Sequence, residues 1–238
     1  MGGGTPEIKY LSDERILFDY FFPGALQGDA FHTPTVDFSP GSPAFNQVFG
    51  ALVSGFAPPD FRTVQFFVAA KLQVTNPFNP NPTELITSGL TGAGFSARFT
   101  NDLLSHTHGH IPYDNTQVVY STGGVGNDAA LNAGVERFTS HPDAVHYLQT
   151  YYDPEGQARL PFLTLHTLAD PEVPFFHEAL YATKVAQAGG SDLLVQRTVS
   201  RYGHCNFKVA EIMNSFDALA IWVANPAQKP SGGDVTIP

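Results

Sequence analysis

The sequence predicts an α/β fold in which parallel strands with crossover helices follow a mostly helical module. Three observations carry this. Two short apolar runs, residues 160–166 and 193–199, read as buried parallel strands. A helical pattern follows each, over 174–188 and over 208–223. Between residues 25 and 156 nothing alternates like a long sheet. Strand, helix, strand, helix in so short a stretch implies parallel strands joined by a right-handed crossover.

The elements follow in order. Residues 1–24 read as a connector, with an aromatic run at Phe18, Tyr20, Phe21 and Phe22 closed by Pro23-Gly24. Residues 25–158 form the helical module. Within it, Asn76-Pro77-Phe78-Asn79-Pro80-Asn81-Pro82 is a turn-rich connector, since each proline biases its predecessor away from the helix. Helical patterns lie over 64–73, 83–104, 128–138 and 142–152, the last opened by His141-Pro142, which suits a first turn. Residues 159–225 form the α/β part. Gly189-Gly190 ends its first helix. Its second helix is amphipathic, with Val209, Ile212, Met213, Phe216, Leu219, Ala220 and Val223 at helical spacing. The Pro/Gly-rich residues 226–238 read as a loose tail.

Composition narrows the function. The chain has 238 residues, enough for one large domain or two small ones. Its 12 Lys and Arg stand against 22 Asp and Glu, a net charge of −10 with no basic stripe. Nucleic-acid binding needs clustered cations on phosphates, so that class is excluded. No apolar run reaches the ~18 residues of a membrane span. Residues 1–6 have neither the basic start nor the apolar core of a signal peptide. Cys205 is the only cysteine, so an intrachain disulfide and a Cys-rich zinc site are excluded, and the compartment is left open.

Polar clusters sit just after both strands, where open parallel sheets gather catalytic groups. The first is His166-Thr167-Leu168-Ala169-Asp170-Pro171-Glu172-Val173-Pro174. The second is Arg201-Tyr202-Gly203-His204-Cys205-Asn206-Phe207. An acid on one loop can hold an imidazole on the next in the tautomer that deprotonates a hydroxyl. Gly203 lets the backbone turn sharply before His204. Taken singly, Asp170 reads as a helix cap and His204 as a surface residue; at the ends of consecutive strands the pair favours catalysis.

These two loops resemble the acid and histidine loops of α/β-hydrolases, closest to an esterase or peptidase-like branch with a large helical lid. Residues 18–24, Tyr113-Asp114-Asn115-Thr116 and Asn127-Asp128-Ala129-Ala130-Leu131-Asn132 resemble the lid of the same branch. The resemblance implies a partial α/β-hydrolase fold, with 25–158 as lid and 159–225 as the C-terminal part of the core. It implies a serine hydrolase of carboxylic esters with no cofactor and no metal, Asp170 as triad acid and His204 as general base. The family's Gly-x-Ser-x-Gly elbow is absent from the chain. The expectation is that the chain begins beyond the elbow and the first strands. Either a partner chain supplies the serine and the missing core, or the protein is a non-catalytic remnant or interaction module, or an internal serine is recruited. The internal candidate is Ser96, in Gly94-Phe95-Ser96-Ala97-Arg98, half of an elbow with no strand before it. An unpaired strand edge predicts self-association. The aromatic residues Phe18, Phe21, Phe22, Phe56, Phe61, Phe66 and Phe67 suit a small ester with an apolar or aromatic acyl group, or are simply core.

Two further patterns read as loops. His106, His108 and His110 alternate, but no HExxH motif or carboxylate partner stands nearby for zinc. Gly124-Val125-Gly126-Asn127-Asp128-Ala129 follows Val118-Val119-Tyr120 and mimics a dinucleotide loop, yet the interval that should hold the second strand is helical.

Overall fold

The computed structural model describes residues 6–238, so most of the segment read as lacking a signal peptide lies outside the described residues. The chain divides into two compact units. One holds the residues up to Leu72 together with Asn81–Asp153, and the other holds Gln73–Pro80 and Pro154–Pro238.

The first unit is helical, with no strand among its described residues. Its helices are α1 (Pro6–Phe21), α2 (Pro43–Ser54), α3 (Arg62–Ala70), α4 (Pro82–His106), α5 (Asp128–Gly134) and α6 (Pro142–Tyr151). Three begin at a proline whose predecessor caps the turn. Ser42 accepts from Phe45 N–H, Asn81 from Thr83 N–H and the His141 ring from Asp143 N–H. Helix α1 corrects the connector reading of residues 1–24. It buries Ile8, Leu11, Ile16, Leu17, Phe18 and Phe21, but also Ser12, Glu14 and Arg15. Buried polar residues break the apolar stripe by which such a helix is recognised.

Arg15 is the keystone of this unit. Its Nε donates to both carboxylate oxygens of Asp19, at 2.9 and 2.8 Å. Its Nη atoms donate to Thr33 Oγ1 at 2.6 Å and to the carbonyls of Gln27 and Gly28, both at 3.2 Å. A fully buried guanidinium is tolerable only when its donors are so taken up. Phe18, Phe22 and Phe66 pack on one another, edge to face or tilted, with centroids 5.2 to 5.9 Å apart. With Phe21 and Phe67 they are buried, which corrects their reading as residues for an acyl group: they are core of this unit. Tyr113 and Tyr120 both donate to the Asp13 carboxylate, tying the 113–120 segment to α1.

The second unit is α/β. It contains β1 (Phe162–Ala169), α7 (Phe176–Gln187), β2 (Leu194–Tyr202), α8 (Val209–Ala224) and β3 (Gly233–Asp234). The sheet order is β1-β2-β3, all parallel. Phe162 faces Leu194 and Thr167 faces Val199 in register; an irregularity follows, after which Ala169 pairs with Tyr202. Glu178 on α7 accepts from Thr164 of β1 and from Gln196 Nε2 of β2, the latter at 2.6 Å, pinning the helix across both strands.

Three expectations are corrected here. Both strands run three residues past the apolar runs, to Ala169 and Tyr202, because the pairing of β1 with β2 resumes at those two residues after the irregularity. The tail is not loose. It supplies β3, and Val235 N–H donates to Thr198 O at 2.9 Å while Ile237 N–H donates to Glu211 Oε1 at 3.0 Å. Strand β1 is not covered on both faces, since only Thr167 and Ala169 are buried along it.

Candidate active site

Strand β1 ends at Ala169, so Asp170 is the first residue beyond the sheet's carboxyl edge. Its carboxylate is divided between two tasks. Oδ1 accepts from the N–H groups of Glu172 and Val173, each at 2.9 Å. Oδ2 lies 2.9 Å from His204 Nδ1. The two backbone bonds fix the carboxylate plane, leaving Oδ2 aimed across to the neighbouring loop. Asp170 is 2% exposed, whereas the His204 side chain is 40% exposed. Asp170 does not cap α7, whose N-cap is Phe175 without a side-chain bond. The structure thus brings together both residues that the sequence singled out after consecutive strands.

The histidine loop is held at several points. Gly203 has φ +111°, a conformation costly for any residue with a Cβ. Its N–H donates to Ala169 O at 3.0 Å. Asn206 Nδ2 donates to Tyr202 O at 2.8 Å, and Arg201 donates to Asn206 O at 2.7 Å. Arg201 also makes a two-pronged bond with Glu211 at the start of α8, 2.9 Å on each arm. The guanidinium on Glu211 holds that carboxyl down at about 2.

With Nδ1 donating to Asp170, Nε2 is left as the acceptor, the nitrogen a general base needs. Cys205 Sγ lies 3.4 Å from it. Cys205 adopts a left-handed φ of +49°. Burial, and then the charges of Asp170 and Glu172, push its thiol above the ordinary value, so the sulfur is a neutral neighbour and not an activated thiolate. Sequence reading missed this contact; the adjacency in Gly203-His204-Cys205 was the only signal.

The other singled-out residues lie in the helical unit. Ser96 is buried inside α4, not on a strand-to-helix turn, and its Oγ has no hydrogen-bond partner. His106 Nε2 lies 3.6 Å from Asp102 Oδ1, and the rings of His110 and His141 stack with centroids 3.8 Å apart. Among the described residues no three His, Cys, Asp or Glu side chains converge as metal ligands. The 124–129 loop leads into α5 and follows no strand. No described helix is long and apolar enough to cross a membrane.

The chain is similar to an o-phthalyl amidase of Xanthobacter agilis, 28% identical over 102 residues. The likeness covers 40% of this chain and 22% of that relative. The chain therefore spans about a fifth of the curated relative it matches. No protein-family model matches the chain. No solved structure matches it either.

Proposed function

We propose that this chain is a hydrolase of α/β-hydrolase type in which Asp170 and His204 are the acid and base of a serine mechanism. The reaction is acyl transfer to water from a carboxylic ester, or from an amide, through the same tetrahedral intermediate. The observation that carries the reading is the 2.9 Å bond between Asp170 Oδ2 and His204 Nδ1, with the other oxygen pinned by backbone. In this scheme His204 Nε2 takes the proton from a serine hydroxyl as it attacks the carbonyl. Asp170 keeps the imidazole in the right tautomer and stabilises the imidazolium, and His204 then returns the proton to the leaving group. The likeness to a protein named an amidase supports a hydrolase and leaves ester against amide to assay.

The nucleophile is not among the groups bonded to His204; a serine must reach Nε2 in the working enzyme. Reaction with a fluorophosphonate followed by peptide mapping tests this. Labelling of a serine that is lost in His204→Ala and in Asp170→Asn supports the mechanism. Labelling indifferent to both substitutions overturns it.

A second reading, an interaction module that works through a partner chain, is favoured by one observation. Strand β1 pairs only with β2 among the described residues, and α8 leaves Val209, Met213, Phe216 and Val223 exposed. An open strand edge and exposed apolar side chains are each a template for association. It predicts no phosphonate adduct on the chain alone and concentration-dependent sedimentation.

A further inference from the structure

We propose that Thr167 is the positioning residue of this site, acting on His204 through the peptide bond that precedes it; the inference rests on the acid–base reading above. Thr167 is fully buried on β1, beside the irregularity in its pairing with β2. Its Oγ1 lies 2.7 Å from Gly203 O and 3.4 Å from Asp170 Oδ2. A hydroxyl has one proton to give, and the shorter contact takes it. The acceptor is the carbonyl of the Gly203–His204 peptide. On the other side of Gly203, its N–H donates to Ala169 O at 3.0 Å. Both peptides flanking Gly203 are therefore clamped to the end of β1.

The clamp matters because of what it clamps. Gly203 holds φ +111°, and an unrestrained glycine samples many alternatives at little cost. The His204 side chain is 40% exposed, so packing does not fix the ring. Its orientation toward Asp170 is inherited from the backbone, and the Thr167 hydroxyl sets that backbone. The same side chain sits beside the carboxylate oxygen that receives His204 Nδ1–H, so one residue registers the acid loop against the histidine loop.

The test is NMR of the full chain with ¹⁵N-labelled histidine. Wild type should show His204 protonated at Nδ1, with that proton protected from exchange. Thr167→Val removes the donor at nearly constant volume. It should speed Nδ1–H exchange roughly tenfold, as expected for one lost hydrogen bond. Thr167→Ser keeps the donor and should restore protection. Where valine lowers the melting temperature too far, Thr167→Cys, a weaker donor of similar size, gives the same comparison. A folded valine or cysteine variant with wild-type tautomer and protection overturns the inference alone. A wild type without a bonded Nδ1–H contradicts the acid–base reading and, with it, the inference. A merely structural threonine would change melting without changing the tautomer signal.

Discussion

At the scale of single residues, the account turns on which nitrogen of His204 carries the proton. Asp170→Asn is the sharpest probe. Asparagine Oδ1 can still accept from Glu172 and Val173, so the loop should stay folded. Its Nδ2, however, is a donor facing His204 Nδ1. The imidazole should switch to the Nε2–H tautomer, visible in the histidine ¹⁵N spectrum, and lose its capacity as a base. An unchanged tautomer would show that Asp170 does not set it. Cys205 offers a second probe. Its raised thiol should react with iodoacetamide at neutral pH more slowly than a free cysteine, and rapid alkylation would reveal a thiolate that this arrangement does not support. Asp170 and His204 were legible because a polar cluster closing an apolar run marks a strand's carboxyl end. Thr167 was not, since a threonine on a strand has an ordinary propensity explanation. Its partner is a backbone carbonyl that no side-chain pattern announces.

At the scale of elements, the parallel strand–helix repeat was readable from apolar runs, while α1 and β3 were not. Helix α1 hides its period by burying Glu14 and Arg15 among its apolar residues. Strand β3 is two residues long, in a Pro/Gly-rich stretch, and exists because β2 offers it an edge. Two consequences can be measured. Gly28 has φ +75°, and a Cβ there would lie 2.0 Å from His32 O, while its own carbonyl accepts from Arg15. Gly28→Ala should therefore destabilise the helical unit by more than ~1 kcal/mol, read as a fall in its melting temperature. In the α/β unit, Glu211 links the histidine loop, α8 and the tail. Its folded value near 2 lies below the ordinary 4.5, so its contribution is present above about 4.5 and is lost as pH falls toward 2. Glu211→Gln should flatten the acid limb of that unit's melting curve. An acid limb identical to wild type would mean that the Arg201–Glu211 pair does not hold the loop.

At the scale of the whole molecule, the two units carry opposite pH signatures. Burial is the main reason Asp19 is pushed up to about 6, against the pull of Arg15. A raised folded value means that the native state holds the proton more tightly than the unfolded chain. That contribution is present below the ordinary 3.8 and is lost as pH rises through about 6. Calorimetry should show the Asp19→Asn variant losing part of the helical unit's destabilisation between pH 4 and 6, while Glu211→Gln alters only lower pH. The division into a helical and an α/β part could be read from where the sequence pattern changes. The transfer of Gln73–Pro80 to the second unit could not, because it depends on tertiary contacts that a turn-rich segment does not encode. The central claim is that Asp170 and His204 work as one device. Its most direct test is the turnover of an aryl ester or amide by the purified protein in Asp170→Asn, His204→Gln and the double variant. The account predicts that each single change lowers kcat on the order of 10³–10⁴-fold, and that the double change is no worse than the more damaging single one. Losses that multiply, or losses that do not appear, would contradict it.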